Sequence, residues 1–232
     1  MGRASALLGL AAGLGVYYAV SDSLWNASTW WDVTWLALAL IPAVFALVYV
    51  VLPALAYRGL VLLALALGAL AALSTAADLD VLANFAKLAA VTLLAFWFLS
   101  YFDSLSWVVL VAAIVPWVDA WSVWRGPTHV IVTEKQEVFT NLSFAFPVPG
   151  EHASANLGLP DLLFFALFLA ASVRFRLRPR WTWLAMTVSF GATMALAVWL
   201  DLGGLPALPG LSVAFLGVNG ELIWRRLRPR PR

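Results

Sequence analysis

Two aspartates stand inside long apolar runs. Asp119 lies in Ile114-Val115-Pro116-Trp117-Val118-Asp119-Ala120-Trp121, and Asp161 in Leu157-Gly158-Leu159-Pro160-Asp161-Leu162-Leu163-Phe164-Phe165. A carboxylate at membrane depth costs roughly 3 kcal/mol on insertion scales, so it marks a functional site by default. A single such residue would be read as snorkelling to the interface; two at matched depth, among Trp, Phe and Leu, point to a shared site. Two carboxyls in one low-dielectric site do not easily ionise together, so the pair holds one proton between them. The ionised member can take a proton from water while the neutral member protonates a carbonyl, which is general acid–base hydrolysis. That chemistry requires no metal, cofactor or nucleophilic side chain, and none is expected.

The elements that must position these residues follow from composition. Of 232 residues, 63% are hydrophobic and 11% charged, and the mean hydropathy is +0.92. Soluble domains average about 45–50% apolar and about 25% charged residues, so the chain is expected to be an integral membrane protein. It contains no cysteine, which removes disulfides, thiol catalysis, Cys-ligated zinc and Fe–S clusters. The two histidines, His129 and His152, form no metal-binding pair and lie in no apolar run, which argues against zinc proteases and intramembrane Ser–His proteases. A net charge of +2 does not imply a nucleic-acid partner, because the basic residues sit at the ends of apolar segments.

A helix crosses a bilayer in roughly 20 apolar residues. Eight runs meet that measure approximately: 4–20, 33–52, 57–74, 84–101, 105–124, 158–174, 181–200 and 206–224. The expected fold is an all-α polytopic membrane protein of about eight transmembrane helices in one domain, 1–232. Its parts are N-terminal helices over 1–104, a core over 105–224, a loop over 125–157 and a basic tail over 225–232. Residues 4–20 also fit a signal peptide, with Ala19-Val20-Ser21 as a cleavage site. With the N-terminus cytoplasmic, Arg3, Arg58, Arg174, Arg176, Arg178, Arg180 and the five arginines after 224 face inward. That accounts for 11 of the 14 basic residues, so both termini are expected in the cytoplasm. Asp119, about five residues or roughly 7 Å from the outer end of its span, and Asp161, about three residues into the next, then share the extracytoplasmic side.

The loop contains two β-prone stretches, Val130-Ile131-Val132 and Val138 to Phe146, around Glu134-Lys135-Gln136-Glu137 as a turn. In the second, Val138, Leu142, Phe144 and Phe146 fall on one face at period two, so a short hairpin is expected there. Lys87 is expected to snorkel, Asn219 to make a helix–helix hydrogen bond, and Glu221 to pair with Arg225 at i,i+4.

A third feature opens the last span: Gly203-Gly204-Leu205-Pro206-Ala207-Leu208-Pro209-Gly210. Proline is tolerated in a first helical turn and leaves nearby carbonyls unpaired. Taken with the two aspartates, the chain resembles the presenilin and signal peptide peptidase group of GxGD-type intramembrane aspartyl proteases. That family carries one catalytic Asp in a helix, a second in a G-x-G-D motif opening the next, and P-A-L at the start of the last. Asp119 stands at the first position, Gly158-Leu159-Pro160-Asp161 at the second and Pro206-Ala207-Leu208 at the third. One helix separates the second motif from the third, as in the family. Gly126-Pro127 followed by Val130-Ile131-Val132-Thr133-Glu134 also resembles the stretch after the first presenilin Asp. The likeness covers roughly residues 105–224, and its specificity lies in the order of three individually weak motifs.

It implies a presenilin-like bundle, catalysis by Asp119 and Asp161, and substrate binding by Gly158, Leu159, Pro160, Pro206, Ala207 and Leu208. The implied substrates are transmembrane helical proteins or peptides, met within the lipid bilayer. Three features differ from the family: Val118 replaces the usual Tyr, Pro160 replaces Gly, and eight helices replace nine. The orientation is that of signal peptide peptidase, opposite to presenilin. Two other functional classes use the same residues differently: a small transporter or channel relaying protons or cations through the aspartates, and an idle membrane scaffold.

Overall fold

The computed structural model describes residues 2–125, 136–152, 154–202 and 204–228. Each of the eight apolar runs forms helix. The described helices are α1 (Arg3–Val20), α2 (Thr29–Trp35), α3 (Ile41–Val50), α4 (Leu60–Ala76), α5 (Asp80–Leu99), α6 (Leu105–Arg125), α7 (Gln136–Asn141), α8 (Leu159–Arg174), α9 (Pro179–Trp199) and α10 (Leu208–Leu227). Five helical stretches among the described residues are long and apolar enough to cross a membrane: Arg3–Ser23, Thr29–Ala56, Asp80–Leu99, Leu105–Arg125 and Pro179–Trp199. The expectation of eight spans therefore narrows to five on length and composition. α4 is apolar but has 17 residues, α8 has 16, and α10 carries Glu221, Arg225 and Arg226.

α2 and α3 are one rod interrupted by a π-helical turn at Leu36–Leu40, where the Ile41 N–H reaches back to the carbonyl of Leu36. Pro42 explains the interruption, since its ring has no N–H and crowds the carbonyl four residues earlier. Three helices end alike. Asp78, Arg176 and Asp201 adopt φ of 55°, 48° and 52°, each just past the end of α4, α8 and α9. The next N–H then bonds back into the last turn (Leu79 to Ser74, Leu177 to Ser172, Leu202 to Ala197), the left-handed cap that reverses the chain sharply.

The core is built around α8, where every residue from Phe165 to Ser172 is buried. Phe45 stacks on Phe165 at 4.0 Å between ring centroids and Phe168 on Phe215 at 4.9 Å, tying α8 to α3 and α10. α5 also packs along α8, while α10 packs against α6 and α9. Asn219 joins α10 to α9, donating to Thr182 Oγ1 at 2.8 Å and accepting the Arg178 N–H at 3.0 Å. Glu221 pairs with both Arg225, at 2.7 Å, and Arg178, at 3.0 Å.

The expected hairpin exists with other partners. β1 (Ser143–Pro147) pairs antiparallel with β2 (Ser154–Gly158), Phe144 opposite Leu157 and Phe146 opposite Ala155. The stretch proposed as the first strand, 130–132, lies outside the described residues, as do Gly126, Pro127 and the first half of the proposed turn, 134–135. Gln136-Glu137 and Val138 belong instead to α7, and Leu142 is exposed at its end. The turn signal that decides the pairing is Pro147-Val148-Pro149-Gly150. Gly150, at φ 73°, occupies the left-handed third position of a turn closed by Glu151 N–H to the Val148 carbonyl. A Cβ on Gly150 would lie 2.6 Å from the backbone nitrogen of Asn26, so the turn seats directly on the segment after α1.

Side chains from α1 and α5 close the outer edge of β1. Asn84 accepts the Ala145 N–H at 2.9 Å and donates to its carbonyl at 2.8 Å. Tyr18 and Tyr17 donate to the carbonyls of Ala145 and Pro147, and Lys87 donates to that of Ser143 at 3.2 Å. Lys87 thus anchors the sheet rather than snorkelling. Buried backbone groups without partners cost about 1–3 kcal/mol each. Asn84→Ala should accordingly lower stability by at least about 1–3 kcal/mol, read as a fall in the thermal midpoint in detergent; an unchanged midpoint would mean that pairing to β2 alone holds β1.

Candidate active site

The chain enters α8 directly from β2, through Gly158. Gly158 is the N-cap, at φ −58° and ψ 140°, and Pro160 sits in the first turn, where its missing N–H is no loss. Asp161 is then the third helical residue. Its carboxylate reaches back to the Gly158 N–H, the acidic half of a capping box. A Cβ on Gly158 would stand 3.2 Å from Asp161 Oδ2. The glycine therefore lets the carboxyl fold over its own backbone. Pro160 is exposed, and no neighbour requires glycine there.

Asp119 is positioned by helical periodicity. Leu105, Val108 and Ala112 are the buried residues of α6, and Asp119 continues their stripe at three- and four-residue spacing through half-buried Val115. Much of the remaining surface of α6 is large and exposed: Trp107, Ile114, Trp117, Val118, Trp121 and Trp124. Pro116 removes one hydrogen bond from the turn before Asp119, yet the helix continues to Arg125. Val118 lies on the exposed face.

The buried stripe of α6 meets the start of α10. The Leu208 N–H donates to Asp119 Oδ2 at 3.1 Å. Leu208 is the first residue of its helix, where N–H groups lack intrahelical partners, and Pro209 supplies none. A carboxylate at this positive end of a helix is favoured on both hydrogen-bonding and dipole grounds. Asp119 in turn acts electrostatically on Asp161. The structure thus brings Asp119, Asp161, Gly158, Ala207 and Leu208 to one end of the bundle, each carboxylate on a different helix N-terminus. Ala207 and Leu208 are buried and Pro206 half-buried; Leu159 is half-buried. Gly203 lies outside the described residues. No group of three or more His, Asp or Glu gathers among the described residues, so the two carboxylates have no third ligand of that kind.

The sheet leads into this site with one edge open. Because Asn84 takes both main-chain groups of Ala145, those groups point away from β2. In an antiparallel ladder the opposite residue, Asn156, must then point its own N–H and C=O away from β1. Among the described residues the sheet has two strands, and the Asn156 edge is paired to no third. Sequence reasoning missed β2 and the anchors Asn84, Tyr17 and Tyr18. The Pro-Val-Pro-Gly turn could have revealed β2, and Asn84, a lone amide in an apolar run, the anchor.

Compared with protein-family models, curated proteins and solved structures, the chain matches none.

The contact between Asp119 and Leu208 makes a stability prediction separable from any activity. Asp119→Ala leaves a buried helix-terminal N–H without an acceptor and should cost about 1–3 kcal/mol. Asp119→Asn keeps a carbonyl oxygen for that N–H and should stay within about 1 kcal/mol of the parent. Thermal unfolding of both variants beside the parent tests the difference; equal midpoints for the two would deny the contact a structural role.

Proposed function

We propose that the chain is an intramembrane aspartyl endopeptidase that hydrolyses peptide bonds within transmembrane segments. One observation carries this reading. Three segments remote in sequence, around Asp119, Gly158–Asp161 and Pro206–Leu208, come to one end of the bundle, with Asp119 bound to the Leu208 N–H and near enough to Asp161 to act on it electrostatically. The resemblance to presenilin and signal peptide peptidase assigns those same segments to catalysis and substrate binding.

The chemistry balances with water alone. The ionised aspartate removes a proton from water as its oxygen attacks the peptide carbonyl carbon, and the neutral aspartate protonates the carbonyl oxygen. The tetrahedral gem-diol collapses as the newly protonated aspartate gives its proton to the nitrogen, the other aspartate takes a proton from a hydroxyl and the C–N bond breaks, leaving acid, amine and a dyad with one proton. The reading carries eight membrane-crossing helices in a presenilin-like bundle, with α4, α8 and α10 as the three beyond the long apolar set. α8 is enclosed by other helices, so lipid thickness does not dictate its length. The basic asymmetry of the sequence supports cytoplasmic termini and a dyad towards the extracytoplasmic side.

A helical substrate hides its carbonyls and must be extended to be cut, and an open strand edge can hold it extended by β-augmentation. The β-prone stretches of the loop, 138–146 and 130–133, are the first candidates for that edge. The first is ruled out, since 136–141 is helical and the β1 edge is occupied by Asn84, Lys87, Tyr17 and Tyr18; 130–133 lies outside the described residues. The edge at Asn156 remains, two residues from Gly158 and contiguous with Asp161.

The decisive measurement is cleavage of a model transmembrane substrate by the purified protein in detergent. Asp119→Asn and Asp161→Asn should each lower the rate by at least about a hundredfold while leaving the chromatographic profile unchanged. The parent should show a bell-shaped pH profile, because the doubly ionised and doubly protonated pairs are both inactive. Cleavage that survives in either variant would refute the dyad. Proton or cation flux into proteoliposomes with no proteolysis would replace the peptidase by a transporter.

The strand edge gives a second prediction. Asn156→Pro removes an N–H that faces away from the ladder, so folding should be retained while substrate KM rises several-fold. Ala155→Pro removes an N–H directed at Phe146 and should destabilise the sheet itself. Parental KM in Asn156→Pro would exclude this edge as the substrate's partner.

A further inference from the structure

At the end of the bundle remote from the dyad, a cavity of about 540 Å³ opens between the turn ahead of α4 and the last turns of α5 and α8. It lies at the opposite end of α8 from Asp161, thirteen residues or roughly 20 Å away. Its size falls within the range of small-molecule sites, about 300–1,000 Å³. The lining is divided in character. Leu60, Phe96 and Leu99 form a buried apolar floor, and Arg58, Arg174 and the ring of exposed Tyr57 stand around it.

The two arginines differ from Arg178, Arg225 and Arg226 at this end. Arg178 and Arg225 are neutralised by Glu221, and Arg226 donates to the carbonyls of Phe175 and Arg176. Arg58 and Arg174 pair with no acidic side chain among the described residues, and none lines the cavity. Arg174 is nonetheless held in place. One of its N–H groups donates to the Leu99 carbonyl at 2.5 Å, which fixes the guanidinium beside the cavity with its other donors uncommitted. Two cations over an apolar floor match a ligand with an anionic head and a hydrocarbon body. A planar guanidinium fork is suited to phosphate oxygens.

We propose that this cavity holds the phosphate of an anionic phospholipid, with Arg58 and Arg174 as its cationic partners and the Leu60–Phe96–Leu99 floor against the start of its acyl chains. Basic recesses between membrane helices are where such headgroups bind. The site is independent of the peptidase reading.

The test uses the full-length protein, delipidated in neutral detergent. Phosphatidylglycerol, phosphatidylcholine and inorganic phosphate are added separately, with the thermal midpoint and native mass spectrometry as readouts. Phosphatidylglycerol should raise the midpoint by several degrees and persist as one bound molecule, whereas phosphatidylcholine and inorganic phosphate should do neither. Arg58→Gln and Arg174→Gln should each weaken phosphatidylglycerol binding about fivefold. Equal shifts from both lipids would show general solvation and overturn the proposal. A full shift from inorganic phosphate alone would make this an anion site, overturning the lipid assignment. If Arg174→Gln fails to fold for want of its Leu99 contact, Arg58→Gln decides, being in an exposed turn; parental affinity there would also overturn it.

Discussion

The N–H of Leu208, first in its helix and without an intrahelical acceptor, is bound by the carboxylate of Asp119. On this contact the arrangement of the site depends. α6 is packed along one narrow stripe and presents large apolar side chains elsewhere, so little besides α10 fixes its rotation. A carboxylate seated on the positive end of α10 sets both rotation and depth, because a helical turn of slippage would cost the hydrogen bond and bury two unpaired groups. Asp161 is held by the same device on its own helix, through Gly158. Two helix N-termini thus converge on two acids. Each dipole offsets part of the charge that the pair would otherwise carry unaided.

The second constraint is backbone polarity, since buried strands must find hydrogen-bond partners within the protein. A two-stranded sheet on its own would expose both edges. Here α1 and α5 carry the missing partners as side chains: Asn84 serves Ala145 like a neighbouring strand, Tyr18 shares its carbonyl, and Tyr17 and Lys87 take those of Pro147 and Ser143. Tyr18 also packs edge-on to Phe144, so the polar and apolar faces of β1 are fixed together. Because β1 is clamped from outside and β2 pairs with it, the direction in which Gly158 delivers the chain to Asp161 follows in part from that clamp.

The sequence made the helices legible because each is an unbroken apolar run, and their ends fall within a few residues of the charge boundaries. It also made the three site segments legible, since Asp119, Asp161 and Pro206–Leu208 are the features those runs do not account for. The sheet was legible only in part. Phe144 and Phe146 alternate as a strand should, but periodicity cannot name a partner, and β-prone 130–132 competed with Ser154–Gly158, whose polar composition hides its strand. What selects β2 is local turn chemistry at Pro149-Gly150 and a remote amide at Asn84, the latter a tertiary contact that no single window contains. Likewise Lys87 reads as snorkelling in one dimension and becomes a sheet anchor once α5 lies beside β1. Pro160 reads as a departure from the family's glycine, yet in a first helical turn it is a compatible residue.

α8 carries the synthesis one step further. Hydropathy scans reward lipid exposure and length, and this helix has neither: it is 16 residues long and enclosed along Phe165–Ser172. A rod surrounded by protein needs only to match its neighbours, and stacked Phe45–Phe165 and Phe168–Phe215 pairs lock it to α3 and α10. Its two ends bear Asp161 and Arg174, and both are tied to backbone, one to Gly158 and the other to Leu99. Core packing of this density resists sliding, because small axial shifts would break many dispersion contacts together. The helix therefore acts as a ruler that fixes the two aspartates at one end of the bundle relative to the basic cavity at the other. An occupant of that cavity, by bracing the last turn of α8 against α5, would reinforce the position of the acid at the opposite end without touching it.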